Sequence, residues 1–111
     1  MTRYVLALDL VDKPDLIEEY EAYHREVWPE IKESILRSGV HHMAIYRFGN
    51  RLMMVMEVSD NFSFEQKANA DAESEHVQEW EKLMWKYQVA IPGAKAGEKW
   101  VLMDKIFEIN G

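Results

Sequence analysis

The sequence predicts an α+β domain in which helices cover one face of an antiparallel sheet. With 111 residues, the chain is long enough to bury one hydrophobic core and too short for a second domain, so residues 1–111 form a single domain. Four segments alternate as strands do, and two longer regions have helical spacing. Their order, βαββαβ, is that of the ferredoxin-like plan.

The first strand is predicted over residues 3–11, where apolar and polar side chains alternate. Asp9 falls on the opposite face from the apolar set. That set comprises Tyr4, Leu6, Leu8 and Leu10. An alternation of this kind is typical of a strand with one face turned toward the core.

A long helix follows, beginning near Asp12 as a candidate N-cap with Pro14 in its first turn. Gly39 ends it, because glycine readily adopts the left-handed conformation of a helix stop. Pro29 lies inside this region and lacks the N–H that would continue the helical hydrogen bonds. We therefore expect a kink, or a break and restart, near Trp28.

The remaining elements follow from the same periodicities and from turn residues. In chain order they are strands 41–47 and 51–58 joined as a hairpin, helices 61–70 and 73–89, a loop at 92–98 and a last strand at 100–109. Both helical regions are expected on one face of the sheet. The other face then needs cover, and we expect a homodimer in which a second copy supplies it.

Composition narrows the classes of partner and chemistry. Aspartate and glutamate outnumber lysine and arginine 20 to 13, which gives a net charge of −7 and argues against nucleic acid and against an anionic membrane surface. A neutral small molecule fits better. There is no cysteine, and no set of histidines and carboxylates has metal-ligand spacing, so we expect no metal site. The N-terminus shows no targeting pattern, from which we expect a cytoplasmic protein.

His24 is the residue that most suggests chemistry. It lies four residues after Tyr20, so the two share a helix face with the apolar stripe. The stripe comprises Leu16, Val27, Ile31 and Ile35. An inward histidine beside a tyrosine and near Trp28 is either a hydrogen-bonded core residue or a proton-transfer group in a polar cavity. The residue pattern alone leaves both interpretations open.

Four segments together resemble the L-rhamnose mutarotase family. They are Tyr20-Glu21-Ala22-Tyr23-His24, Val27-Trp28-Pro29-Glu30, Gly39 to Tyr46, and Gln78-Glu79-Trp80. The resemblance spans nearly the whole chain and includes Met103 to Phe107. It implies a dimeric α/β-barrel of ferredoxin-like fold, no cofactor, and interconversion of the α and β anomers of a 6-deoxy-L-sugar. It also implies that His24 is the catalytic acid/base and that Tyr20 and Trp80 contact the sugar.

The chain departs from the family pattern at two places. The family usually has a second tryptophan where this chain has Glu81, and His-Asn-Tyr where it has His41-His42-Met43. Both places are those at which the family recognises sugar hydroxyls. The departures suggest a related sugar such as L-fucose in place of L-rhamnose, because a changed buried partner alters which hydroxyl is satisfied.

Two other functions fit the composition. The same fold includes cofactorless oxygenases that hold an aromatic substrate among tryptophan and histidine side chains, and oxygen uptake with a quinol would identify one. A non-catalytic binding module, in which His24 is only a core residue, is the other. This alternative predicts that replacing His24 lowers the stability of the protein rather than an activity.

Overall fold

The computed structural model describes residues 2–110. The strands are β1 (Thr2–Leu10), β2 (Val40–Phe48), β3 (Arg51–Val58), β4 (Gln88–Val89) and β5 (Val101–Leu102). The helices are α1 (Pro14–Arg25), α2 (Pro29–Arg37), α3 (Phe64–Glu73) and α4 (Glu75–Met84). None of these helices has the length and apolar character needed to cross a membrane.

The sheet is antiparallel with the strand order β2-β3-β1-β4, and β5 also pairs with β1. This order is that of the ferredoxin-like plan, which confirms the predicted fold class. Strand β4 pairs with the end of β1 at Leu10, whereas β5 pairs with its middle at Leu6. The two short strands therefore share the position that one continuous fourth strand was expected to fill.

The predicted break near Trp28 is confirmed, because α1 ends at Arg25 and α2 begins at Pro29. Trp28 has an extended backbone (φ −55°, ψ 136°), as the residue before a proline prefers. The prediction of Asp12 as the N-cap of α1 was wrong. Pro14 takes the first helical position, so Lys13 is the cap, and it makes no side-chain capping bond.

Both elements predicted near the C-terminus were too long. The helix expected over 73–89 is α4, which ends at Met84, and its last predicted residues form β4. The strand expected over 100–109 is limited to Val101–Leu102. The pairing with β1 continues for one more backbone bond, in which the N–H of Met103 donates to the carbonyl oxygen of Val5. Residues 104–110 then follow without strand structure.

The core lies between the sheet and the helices. One cluster joins α1, α2, α4 and the strand ends, and a smaller one lies at the other end of the sheet. The buried members of the first are Leu10, Tyr20, Ile31, Leu52, Val77, Trp80, Met84 and Tyr87. Those of the second are Leu6, Val40, Met56 and Val58. The predicted stripe of the long helix packs on these clusters, so the face that carries Tyr20 is turned inward.

Candidate active site

A cavity of about 950 Å³ lies between the helix-covered face of the sheet and the helices. Its sheet wall is apolar and includes Met43, Ile45, Met54 and Met56. Its helix wall brings together all three residues singled out in the sequence, Tyr20, His24 and Trp80. A mostly apolar cleft with a few convergent polar groups is the usual form of a small-molecule site.

His24 lies in the last turn of α1, and its ring is fixed by one backbone contact. Its Nδ1 is 2.9 Å from the carbonyl oxygen of Tyr20. A carbonyl only accepts hydrogen bonds, so Nδ1 carries the proton and donates it. The Nε2 atom of the neutral ring is then an unprotonated acceptor, which is the form that a general base requires.

Burial favours this neutral form. It lowers the pKa of His24 below its ordinary value of 6.5, and this effect outweighs the Tyr20 carbonyl, which acts in the opposite direction. The imidazole is therefore mostly unprotonated at neutral pH. In this form it can accept a proton from a bound hydroxyl and return it to another oxygen.

The Tyr20 side chain lies against the His24 ring, with ring centroids 4.3 Å apart. Its hydroxyl oxygen accepts a hydrogen bond from Nε2 of Gln88 at 3.4 Å. Burial raises the pKa of Tyr20, and the Gln88 amide opposes that rise. Tyr20 therefore keeps its proton at neutral pH and serves as a neutral hydrogen-bonding group beside the imidazole.

Trp80 closes the other side of His24. Its ring meets the imidazole edge to face at a centroid distance of 5.6 Å, and Trp28 packs on it in the same manner at 5.1 Å. Tyr23 adds a third edge contact at 6.3 Å. These aromatic neighbours restrict the orientations of the imidazole and the indole, and Trp80 itself adds an apolar surface to the cavity wall.

The two places where the chain departs from the family pattern both lie at this cavity. Glu81 is half-buried on the cavity wall next to Trp80. Its carboxylate lies near the Lys99 ammonium and acts to raise the pKa of Lys99. Burial lowers the pKa of Lys99 more strongly. Met43 projects from the sheet beside Met56. A carboxylate and a thioether therefore stand where an indole and a phenol are usual.

Gln88, Lys99 and Trp100 also line the cavity, and none of them was predicted as a site residue from the sequence. Gln88 was placed at the end of a long helix, whereas it lies in β4. The other two follow the loop at 92–98, whose path local periodicity does not predict. A buried amide in an apolar segment was the available signal for Gln88, because such groups need a partner.

The other three histidines do not form a metal site within residues 2–110. His41 and His42 are neighbours on β2 and both are exposed, as is His76 on α4. Within residues 2–110, no three histidine, aspartate or glutamate side chains are grouped so that they could hold a metal ion.

Comparison with known proteins identifies the family. Residues 3–109 match the family model described as L-rhamnose mutarotase. An L-fucose mutarotase of Xanthomonas campestris pv. campestris is 42% identical over 112 residues, covering 99% of this chain and 90% of the relative. An L-rhamnose mutarotase of Escherichia coli O127:H6 is 33% identical over 85 residues, covering 75% of this chain and 74% of the relative.

Two solved structures share the fold. An L-rhamnose mutarotase from Formosa agariphila superposes with a TM-score of 0.73 at 19% identity, covering 99% of this chain and 100% of the other. Tetracenomycin F2 cyclase from Streptomyces glaucescens gives 0.70 at 18% identity, covering 100% and 99%. The match to the family model extends over nearly the whole chain and sets aside both the oxygenase and the non-catalytic alternatives. The chain belongs to the L-rhamnose mutarotase family of sugar isomerases.

Proposed function

We propose that this isomerase interconverts the α and β anomers of a 6-deoxy-L-hexose, with L-fucose as its preferred sugar and His24 as its general acid/base. One observation carries the proposal. A neutral imidazole, with its Nδ1 proton held by the Tyr20 carbonyl, lies between Tyr20 and Trp80 in a cavity of small-molecule size.

The reaction needs two proton transfers, and His24 can make both. Nε2 accepts the proton of the anomeric hydroxyl as the bond between C1 and the ring oxygen breaks, and the ring oxygen takes the electron pair. The imidazolium returns the proton to that oxygen, which leaves an open-chain aldehyde. Rotation about C1–C2 and the reverse steps give the other anomer. Positioned acid/base groups contribute roughly 10²–10⁴-fold, which suits a reaction that already proceeds in water.

Tyr20 and Trp80 bind the sugar in this proposal. The Tyr20 hydroxyl is the polar group beside the imidazole, so it can hydrogen-bond an oxygen near the reacting carbon. The indole of Trp80 offers an apolar surface to the C–H face of the ring. Trp28 and Tyr23 support the indole from behind.

The choice of L-fucose rests on Glu81 and Met43 and on the L-fucose mutarotase relative. L-fucose and L-rhamnose differ in configuration at C2 and C4. Glu81 adds a hydrogen-bond acceptor to the cavity wall, and Met43 removes a phenol from the sheet wall. A site built to satisfy one hydroxyl discriminates strongly against a sugar that leaves a buried group unpaired.

Saturation-transfer NMR tests this proposal. We expect the protein to accelerate anomeric exchange of L-fucose more than that of L-rhamnose, and to leave glucose and galactose near their uncatalysed rates. Preference for L-rhamnose would overturn the choice of sugar alone. If no 6-deoxy sugar exchanged faster than in buffer, the proposed reaction would be wrong.

We further propose that the protein is a homodimer. The sheet face opposite the helices exposes large apolar side chains, with Phe48 90% exposed. Residues 103–110 follow β5 without helix or strand structure and expose Ile106, Phe107 and Ile109. A second copy packed on this face would cover both regions. Sedimentation is expected to give a dimer at micromolar concentration, and a monomer there would contradict it.

A further inference from the structure

Gln88 is a buried polar residue to which the proposed reaction assigns no role. It lies in β4 opposite Leu10, is 7% exposed and lines the cavity. Its Nε2 donates to the hydroxyl oxygen of Tyr20 at 3.4 Å. Its Oε1 is buried and has no hydrogen-bond partner among the described residues 2–110.

This arrangement costs stability. A methionine of similar length would fill the position without leaving a buried oxygen unpaired, and buried unpaired acceptors are unfavourable. Departures of this kind from good packing are expected at functional positions. The side chain's one hydrogen bond within residues 2–110 is the contact that its nitrogen makes with Tyr20.

The contact determines what the Tyr20 hydroxyl can do. A phenol has one proton to donate and oxygen lone pairs that accept. Because the Gln88 amide donates to the oxygen, the proton of Tyr20 is left for a different acceptor, beside the ring of His24. We infer that Gln88 is a positioning residue that holds Tyr20 as the hydrogen-bond donor to the ring oxygen of the sugar.

This inference rests on the proposed function and adds to it. When the bond between C1 and the ring oxygen breaks, negative charge develops on that oxygen. A preorganised donor aimed there stabilises the transition state more than the bound sugar. His24 still carries the proton from the anomeric hydroxyl to the ring oxygen, so no additional proton is consumed. Tyr20 contributes a hydrogen bond and stays neutral.

Two substitutions at the same position separate positioning from packing. In Gln88→Glu, a carboxylate accepts the Tyr20 proton and takes the donor away from the sugar. In Gln88→Met, the amide is removed without an acceptor being introduced. Each is made in the wild-type and Tyr20→Phe backgrounds. Gln66→Glu, an exposed substitution of the same type on α3, is the matched control.

We expect kcat for anomeric exchange near pH 7.5 to fall roughly 100-fold in Gln88→Glu and about tenfold in Gln88→Met, with KM changed much less. In the Tyr20→Phe background, either substitution should change kcat less than about twofold, because the group that they act through is gone. Gln88→Met should melt at or above the wild-type temperature, since it removes an unpaired oxygen.

A pH series gives a further readout. The titratable side chains near the pair are His24 and Tyr87, and Glu19 accepts a hydrogen bond from the Tyr87 hydroxyl. These groups are common to all variants. The ratio of Gln88→Glu to wild-type kcat should rise as pH falls, because a protonated carboxyl can again donate to Tyr20.

Equal kcat losses in the tyrosine and phenylalanine backgrounds would overturn the inference, as would a lower melting temperature with unchanged kcat in Gln88→Met. If the wild type accelerated no 6-deoxy sugar, the failure would be that of the proposed reaction. The sugar panel is therefore measured first.

Discussion

The two faces of the central sheet are built from alternating residues of the same strands, yet they present different surfaces. On β3, Met54 and Met56 face the helices and line the cavity, whereas Met53, next to Met54 in the chain, lies on the other face and is exposed. On β2, Ile45 lines the cavity and its neighbour Tyr46 is exposed. A single alternating pattern therefore specifies both a cavity wall and an opposite face whose large apolar side chains stay exposed among residues 2–110.

The inner face carries the candidate site, and its residues come from helices packed on the sheet. His24 is held by the Tyr20 carbonyl of its own helix and by the rings of Tyr20 on α1 and Trp80 on α4, and Trp28 packs on Trp80 in turn. Its orientation therefore depends on the packing of α4 against α1. The outer face has no such supports. We therefore assign the proposed reaction to the covered face and the proposed association with a second copy to the uncovered one.

The largest expected difference between the two faces is in the unfolding free energy that a large-to-small substitution removes. Trp80→Ala removes a buried indole and is expected to cost about 3–5 kcal/mol of unfolding free energy and to raise KM for the sugar. Phe48→Ala removes a ring that is 90% exposed in one chain. Chemical denaturation measures both.

The cost of Phe48→Ala should depend on protein concentration, because Phe48 would be buried only in a dimer. If Phe48→Ala lowered the unfolding free energy by several kcal/mol at every protein concentration, the proposed difference between the two faces would be contradicted. A loss of unfolding free energy below about 1 kcal/mol for Trp80→Ala would contradict it as well.

Charges on the outer face should separate association from catalysis. The double variant Tyr46→Glu and Met53→Glu places like charges on cross-strand neighbours of that face. We expect dimer affinity to fall roughly 100-fold, since buried like charges cost several kcal/mol at an interface. Sedimentation at several concentrations measures it. Asn69→Glu, an exposed change on α3, is the control and should leave the dimer intact.

The smallest expected effect is a pH dependence that comes from the inner face. Burial lowers the pKa of His24 in the folded chain, so between that value and 6.5 the unfolded chain binds more protons. The stability linked to neutral His24 is thus present above pH 6.5 and is lost as pH falls through the folded pKa. Melting temperatures from about pH 5 to pH 8 should show this loss in the wild type.

His24→Gln cannot titrate, so its melting temperature should fall less over the same pH range. Parallel pH profiles for the two proteins would contradict the lowered pKa. The exchange rate should follow the same sign, remaining level through pH 6.5 and declining only as pH falls through the lowered pKa of folded His24.

The sequence predicted the parts of the site that a single helix determines. Tyr20 and His24 lie four residues apart on an apolar stripe, and helical periodicity alone turns that stripe inward. Trp80 was predicted as a site residue from its match to the family motif. Gln88 was missed because its local pattern continues a helix, and only pairing with β1 makes it a strand residue. The alternation after Trp100 predicted a long strand, but strand pairing depends on tertiary contacts, and here the hydrogen bonding to β1 ends at Met103.

The orientations of the Gln88 amide and the His24 imidazole also could not be predicted from the sequence. The bond from His24 to the Tyr20 carbonyl depends on side-chain rotation within the last turn of α1, and the Gln88 contact joins residues 68 positions apart. Such contacts follow from tertiary packing, so spacing rules identify candidates without giving their hydrogen bonds.

The role of His24 is tested by the rate of anomeric exchange of L-fucose, measured by saturation-transfer NMR for wild type, His24→Ala and the exposed-histidine control His76→Ala. We expect a loss of roughly 10²–10⁴-fold for His24→Ala, limited by the uncatalysed rate, and wild-type exchange for His76→Ala. A folded His24→Ala protein that exchanges L-fucose at the wild-type rate would show that His24 is not the acid/base.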